Sequence, residues 1–455
     1  MKDIDMSKPI PIDDDFQSEV RDAESKKQYK VLLPAEYVET YCGPLYGYFV
    51  ENTGVFNVVV DVCKQSKQEL KKIGYIQSLS KVECDELDKL KEFGVVNGQL
   101  VLKPHPPSES DSPPVKMPSF RPSYERLGCP QCLSLSYLIG KRSDSGLTFS
   151  IEGLEGEKVD IETYSFIADA FSRTKGIIES AKMLNKKAVI VGCGSGGSFI
   201  ALQLARVGVG NFLLVDNDVF GYHNISRHQC GIYDVGKRKV DAMKERVLEI
   251  NPKANVVTYH EMVQDIYRPD LLSYIDKNTI ILSCGDNRAS AHYSNKISEM
   301  TGAPFIAAGA GHRASTGEIF YYIPQKDLPC YACVFGEDLN KDFSNEQTRV
   351  WYDTQTEERK AAFEPGLTTD IDFISVIVVK LAVDLLFKND KKYVKKVLDY
   401  LPQFTALSNY ICDKKLNPMI QIFNHPLEIK TTIATAKRED CYLCETFGEL
   451  KRNKK

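Results

Sequence analysis

The stretch that most constrains this chain runs from Ala188 to Leu204. Ala188-Val-Ile-Val reads as a fully buried strand. It passes directly into Gly192-Cys-Gly194-Ser-Gly-Gly197, and then into an apolar helix through Phe199, Ile200, Leu202 and Leu204. Glycine at these places lets the backbone turn tightly and approach an anion with no Cβ in the way. The N-terminus of the helix then offers N–H groups and a partial positive charge to a phosphate. A second apolar strand, Phe212–Val215, ends at Asp216, 24 residues after Gly192, where a carboxylate can take a ribose hydroxyl. To this point a dinucleotide-binding unit for NAD and a site for ATP fit the residues equally well.

The residues that follow favour a triphosphate. Asp216-Asn-Asp218 leads to Asn224-Ile-Ser-Arg227-His228, and then to Asp234-Val-Gly236-Lys237-Arg238-Lys239. A dehydrogenase needs one acid at the end of the second strand and has no use for a clustered asparagine, arginine and lysine. Arg227 and Lys239 supply positive charge where pyrophosphate would leave, and Asn224 can donate to phosphate oxygens. A further strand, Thr279-Ile-Ile-Leu-Ser, runs into Cys284-Gly285-Asp286-Asn287. A carboxylate just beyond the end of a parallel strand suits a magnesium ligand. Strand and helix alternate from Lys186 to about Ala307, which predicts a doubly wound α/β sheet.

The run from Gly192 to Lys239 resembles the ThiF/MoeB/HesA superfamily, which includes ubiquitin-activating enzymes. The pattern is a Gly-rich loop, a D-x-D strand end, N-x-x-R and D-[IV]-G-x-x-K, all in order, and the wording NISRH…DVGKRK looks closest to bacterial members, some of which sit in ubiquitin-like conjugation systems used against phage. The resemblance covers about 170–455 and implies an ATP-dependent adenylyltransferase with a Rossmann-like fold. It implies that Gly192, Gly194 and Gly197 cradle the phosphates and that Asp216, with Asp218, binds the nucleoside side. Asn224, Arg227 and Lys239 would hold phosphates, and Asp286 would hold Mg²⁺. The family also uses an arginine before the first strand, often reaching into a partner subunit, and Arg173 is the candidate. A homodimer is implied by the resemblance alone.

Cysteine usage adds a metal. Cys330-Tyr-Ala-Cys333 and Cys441-Tyr-Leu-Cys444 are two C-x-x-C pairs among 13 cysteines. In a reducing compartment four thiolates pair naturally on one tetrahedral Zn²⁺, and such far-apart pairs occur in many members of the resembled family. Cys129 and Cys132 form a third pair with no matching partner pair, and no role is assigned to them. Many ubiquitin-activating enzymes also pass the acyl group to a cysteine, commonly in the loop after the first zinc pair. The segment Val334 to Ile411 contains no cysteine, which argues for adenylation without a self-thioester. Cys412 is the remaining candidate nucleophile; Cys193, Cys230 and Cys284 read as packing residues within the nucleotide fold.

Before the adenylation region, residues 1–28 read as a disordered acidic tail and 29–103 as a small α+β domain. That domain is read with a strand at Val55–Val62, a helix at Lys81–Phe93 and a turn at Asn97-Gly98 into Leu100–Leu102, a winged-helix-like order. Residues 104–122 hold seven prolines and read as a linker, and 123–163 as a connecting segment before the domain 164–455. The net charge of −4 gives no basic field for nucleic acid. The acidic start is no secretory signal, and the most apolar stretch, Ile371–Leu386, is broken by Asp372, Lys380 and Asp384 and is short for a bilayer. The expectation is therefore a cytoplasmic enzyme with no membrane and no nucleic-acid partner. It would adenylate the C-terminal carboxylate of a ubiquitin-like or sulfur-carrier protein, with a conjugating enzyme as a further partner. The alternatives are a peptide adenylyltransferase of antibiotic biosynthesis, a tRNA-modifying relative, and a nucleotide-binding scaffold without catalysis.

Overall fold

The computed structural model describes residues 29–50, 52–59, 71–78, 93–96, 99–102, 138–152, 154, 156–324, 326, 328–336, 350–352, 361–363, 365–433 and 436–444. The tail 1–28, the linker 104–122, the Cys129/Cys132 pair and the helix expected at 81–93 (apart from Phe93) lie outside them. The chain divides into two compact units that part at Phe166/Ile167.

The first unit is a seven-stranded sheet. Its strands are β1 (Tyr29–Pro34), β2 (Gly43–Val50), β3 (Val55–Val58), β4 (Lys71–Ser78), β7 (Leu138–Ser143), β8 (Gly146–Ile151) and β9 (Val159–Tyr164). Their order is β8-β7-β4-β2-β3-β1-β9. Residues 123–163, expected to connect domains, thus supply three strands of this sheet. β7 pairs in parallel with β4 at Gly74↔Leu138, and β9 pairs in parallel with β1 at Tyr29↔Val159. Alternating residues Val31, Leu33, Phe56, Val58, Ile73 and Leu138 are buried together on one face. Helix α1 (Ala35–Glu39) follows β1, and Arg142 of β7 donates to the carbonyls of Tyr37, Val38 and Tyr41 at its C-terminal end. Those are carbonyls a helix end leaves without an intrahelical donor. Strands β5 (Phe93–Val96) and β6 (Gln99–Leu102) pair antiparallel with Val96 opposite Gln99, so Phe93 begins a strand where the sequence reading ended a helix.

The second unit is built on an eight-stranded sheet. Strands β10 (Lys187–Val191), β11 (Asn211–Val215), β12 (Asn255–Tyr259), β13 (Thr279–Ser283) and β14 (Phe305–Ala310) are parallel; β15 (Thr316–Tyr322), β18 (Phe404–Ser408) and β19 (Ile429–Ile433) extend the sheet antiparallel. The order β12-β11-β10-β13-β14-β15-β18-β19 reverses direction at β10. A short hairpin, β16 (Val350–Tyr352) with β17 (Ala361–Phe363), lies between β15 and β18 in sequence.

Between their terminal residues β10, β11 and β13 are wholly apolar, because both faces are covered. Ala188, Ile190, Phe212, Leu214, Ile280 and Leu282 pack against one layer, formed by helices α2 (Ser180–Leu184), α3 (Ser195–Arg206), α4 (Lys239–Ile250) and, later in the chain, Thr368–Leu386. Val189, Val191, Leu213, Val215 and Ile281 pack against the other, formed by α5 (Arg268–Tyr274) and α6 (Arg288–Thr301). Reversal of strand order moves the crossover helices from one face to the other, since each crossover keeps the same hand. The two faces therefore part at the C-terminal ends of β10 and β13, where open α/β sheets bind ligands. After α7 (Tyr331–Phe335) comes the long helix α8 (Thr368–Leu386). Its Asp384 is fully buried and accepts from Tyr393 Oη and from the N–H groups of Lys396, Val397 and Leu398, so it organises the following loop. Among the described residues no helix is long and apolar enough to cross a membrane.

Candidate functional site

The turn after β10 has the shape that its glycines require. Gly192 takes φ 91, and a Cβ there would stand 2.7 Å from Gly285 N; a Cβ on Gly197 would stand 1.9 Å from the Gly192 carbonyl oxygen. Both positions accept glycine alone, because β10, β13 and α3 meet there. Gly194 differs: a Cβ on it would meet nothing within 4 Å, so the turn is open on its outer side. Gly194 is the N-cap of α3, and no side chain caps that end. The first N–H groups of α3 thus face open space at the positive end of a helix of 12 residues.

Asp216, at the end of β11, ties this turn to the neighbouring strand. Its Oδ2 accepts from Cys193 N at 2.7 Å, and its Oδ1 accepts from Asp218 N at 2.8 Å. Each carboxylate oxygen keeps a further lone pair for a ribose hydroxyl. Burial raises the Asp216 carboxyl pKa, opposed by Lys239 and by the two backbone N–H groups.

Residues 216–239 fold back on themselves, which brings the far end of the motif to its beginning. Phe220 N–H donates to Lys237 O, Gly236 N–H to Phe220 O, and Lys239 N–H to Asp218 O. Lys239, the first residue of α4, is buried, and its Nζ lies 2.6 Å from Asp218 Oδ2. Asn224 Oδ1 accepts from Gly221 N at 2.9 Å, which leaves the amide NH₂ outside this turn. Burial lowers the Arg227 guanidinium pKa, and the Asp286 carboxylate, within electrostatic reach, acts on it in the opposite sense. Asp286 itself is exposed, two residues beyond Cys284 at the end of β13.

Two residues have roles that the motif does not announce. Asp234 is buried and accepts from Gly231 N, Lys237 Nζ and Arg246 Nη2 at 3.0, 3.0 and 2.8 Å. Burial pushes its carboxyl up, but the Gly231 N–H, Arg246 and Lys237 outweigh it and hold the pKa at about 2. It is a structural staple of the loop. His228 is buried behind the Gly-rich turn. Its Nδ1 accepts from Cys230 N at 3.0 Å, so Nε2 carries the proton and donates to the Cys193 carbonyl at 2.7 Å. Burial, its largest influence, lowers the His228 pKa to about 4. The only sequence signal for this role is the position of His228 beside Arg227.

Arg173 stands apart from the others. It is exposed on the turn Ser172–Thr174. The neighbouring Phe171 is buried where its ring would lie 3.6 Å from a Cβ on Gly208, beyond the C-terminal end of α3. Twelve helical residues span about 18 Å, so Arg173 lies toward the sheet edge opposite the Gly-rich turn. This chain does not bring it into its own cradle.

The two C-x-x-C pairs meet. Cys330 Sγ lies 3.7 Å from Cys333 Sγ and 3.5 Å from Cys441 Sγ, and Cys333 Sγ lies 3.5 Å from Cys444 Sγ; all four sulfurs are within 4.8 Å of one another. Tetrahedral Zn–S bonds of about 2.3 Å place sulfurs roughly 3.8 Å apart, which these four match. Cys330 precedes α7, and Tyr331 is fixed by its N–H to Asn295 Oδ1 and by Arg288 Nη1 to its hydroxyl. Burial raises the thiol pKa values of Cys230 and Cys284 to about 12 and pushes Cys193 well above the usual value, as expected of packing residues. Cys412 lies just beyond β18, with its Sγ 3.6 Å from Ser315 Oγ.

The ThiF family profile matches residues 170–421, more than half of the chain. The protein is 31% identical over 166 residues to the adenylyltransferase and sulfurtransferase uba4 of Aspergillus niger, covering 35% of this chain and 34% of uba4. It is 25% identical over 282 residues to the ubiquitin-like modifier-activating enzyme 5 of Drosophila virilis, covering 58% of this chain and 67% of that enzyme. The chain thus spans about a third of the length of the uba4 relative. Among solved structures, E. coli MccB with ATP aligns at 20% identity and a TM-score of 0.41, covering 58% of this chain and 68% of that one. The Gly-rich turn, the folded-back 216–239 loop and the matched span lie in one unit, and the chain belongs to the ThiF family.

Proposed function

We propose that this protein uses ATP to adenylate a C-terminal carboxylate, that of a ubiquitin-like or sulfur-carrier protein. The observation that carries the reading is convergence at one sheet edge. The open turn at Gly194, the Asp216 carboxylate and Asp286 sit at the ends of β10, β11 and β13, with the buried Lys239 held there on Asp218 and Arg227 within electrostatic reach of Asp286. The names of the uba4 and modifier-activating relatives support the same chemistry.

In this reading the triphosphate rests on the N–H groups at the start of α3, with the ribose at Asp216. Asp286 would hold Mg²⁺, which when bound draws charge from the phosphate oxygens. Lys239 exchanges its Asp218 contact for a phosphate oxygen, and Arg227 stabilises the charge that develops on departing pyrophosphate. The substrate carboxylate attacks the α-phosphorus, the bond to the bridging oxygen breaks, and an acyl-adenylate and pyrophosphate result. Asp216 accepts from the Cys193 N–H and His228 donates to the Cys193 carbonyl, so together they hold the backbone on both sides of that residue and keep the cradle preorganised. Cys330, Cys333, Cys441 and Cys444 would hold a structural Zn²⁺. Arg173, far from its own cradle, would act only in a second copy of the chain, which is the reason to propose a homodimer.

The test is product detection. Incubating the protein with Mg-ATP, pyrophosphatase and a ubiquitin-like carrier with a free C-terminal carboxylate should yield carrier joined to AMP as the acyl-adenylate, a mixed anhydride, read by intact mass. Carrier that stays unmodified while ATP is turned over to ADP would contradict the proposal.

A further inference from the structure

Between β14 and β15 the chain makes the turn Gly311–Thr316, in which Arg313 and Ala314 take φ 49 and 54. Two successive non-glycine residues in the left-handed region are uncommon. Glycine is plentiful nearby, at 309, 311 and 317, yet absent from the two positions whose backbone favours it.

The conformation is held from several directions. Within the turn, Gly311 N–H donates to Thr316 O at 2.8 Å and Ala314 N–H to Gly311 O at 2.9 Å. From beyond β18, Asn409 Nδ2 donates to Ala314 O at 2.6 Å and Tyr410 Oη to Arg313 O at 2.8 Å. Asn417 Nδ2 donates to Ser315 Oγ and Thr316 Oγ1, both at 2.9 Å. Packing accounts for one of the two side chains: Ala314 is buried, its methyl close to Gly366 just before α8. It does not account for Arg313, whose side chain is exposed, where any ion pair returns little. A strained, exposed residue that its surroundings over-determine points to a functional segment.

Position says which function. Strand ends along this edge follow the order β11, β10, β13, β14. They carry in turn Asp216, the Gly-rich turn, Asp286 and then the Arg313 turn. β14 lies in register beside β13, with Ser283 opposite Ala307, so the Arg313 turn leaves the sheet edge next to the Asp286 loop, on the side away from β11 and Asp216. Resting on the adenylation reading above, what occupies that side is the acyl donor. We infer that Arg313 positions the terminal carboxylate of the substrate. Its planar guanidinium grips the carboxylate, and one oxygen stays on Arg313 as the other forms the bond to the α-phosphorus. Pyrophosphate leaves with the electron pair of the broken bond, and Arg313 keeps its protons.

The experiment compares wild type with Arg313→Gly and Arg313→Lys, using a ubiquitin-like carrier ending in glycine as free carboxylate and as carboxamide. Wild type should bind the carboxylate form at least about 10-fold more tightly than the carboxamide. Arg313→Gly should lose that preference and raise the KM for carrier by a similar factor, leave the KM for ATP unchanged, and raise the Tm by about 2–4 °C as strain is relieved. Arg313→Lys, which keeps charge without the fork, should fall between, with the wild-type Tm. A Gly variant that keeps both the carboxylate preference and the carrier KM overturns the inference alone. If wild type forms no acyl-adenylate with any carrier, the adenylation reading falls and takes the inference with it.

Discussion

Two turns leave the same edge of the same sheet, and they are built in opposite ways. The turn after β10 has glycine at φ 91 (Gly192) and glycine where a Cβ would strike backbone (Gly197), so it holds no strain. The turn after β14 puts arginine and alanine at φ 49 and 54, and has Gly311 at an ordinary φ of −76. The first turn is a matter of backbone: at Gly192 and Gly197 there is no room for a side chain, and at Gly194 the outer side is open. The second accepts a left-handed arginine, at about 1–2 kcal/mol per residue, and presents a side chain. A turn that exposes backbone and a turn that presents a side chain, two strands apart in sheet order, leave very different marks on the sequence.

The sharpest way to break the comparison is to remove what each half depends on. The antiparallel half is tied by the cysteine cluster. Cys441→Ser should take bound zinc from about one per chain to none, read by elemental analysis, and lower the Tm. A wild type purified without zinc, and as stable with chelator as without, would contradict that reading. On the cradle side, Gly197→Ala should be the most damaging single methyl, because its Cβ has no space beside the Gly192 carbonyl. A loss of about 3 kcal/mol in stability and at least a 10-fold loss in ATP affinity are expected, measured by denaturant titration and calorimetry. Gly194→Ala, whose methyl meets no protein atom, should instead spare stability and weaken only nucleotide binding.

Acid provides the next test. The His228 pKa, lowered to about 4 from 6.5, means that the unfolded chain binds more protons than the folded one between those values. Stability from this group is complete above about pH 6.5 and is lost as the pH falls toward 4, by about 3 kcal/mol. His292, buried beside Tyr331 and lowered to about 4 by burial and then by Arg288, acts in the same direction. His228→Gln retains a donor toward the Cys193 carbonyl and should flatten the pH dependence between 6.5 and 4; an unchanged slope would show that the buried imidazole is not its source. The smallest effect belongs to the strained turn: Arg313→Gly should add about 1 kcal/mol of stability, the reverse of what the same kind of exchange does at an ordinary helical position.

The same contrast explains what could be read from the sequence. The doubly wound sheet was legible because strands buried on both faces are unbroken apolar runs, and the cradle because glycine, Asp216, Asn224, Arg227 and Lys239 come in a fixed order. The left-handed turn was not, since Arg313 and Ala314 are ordinary residues and the groups that hold them, Asn409, Tyr410 and Asn417, lie roughly 100 positions later. His228 was hidden for a similar reason, its partner carbonyl at Cys193 being 35 residues away. In the first unit, β7 and β9 pair with strands far earlier in the chain, and such pairing leaves no local pattern, so 123–163 read as a connection. Arg173 was legible as a residue type but not as a location, because nothing in its spacing says which end of α3 it adjoins.

In the proposed function the edge carrying Gly194, Asp216, Lys239, Arg227 and Asp286 activates a carboxylate with ATP. The decisive measurement is carrier-dependent ATP–pyrophosphate exchange. The wild type should exchange label only when carrier and Mg²⁺ are both present, and Asp286→Ala should lose at least 100-fold of that rate, about 2.7 kcal/mol. Exchange that survives intact in Asp286→Ala, or a wild type that shows none with any carrier, would contradict the account.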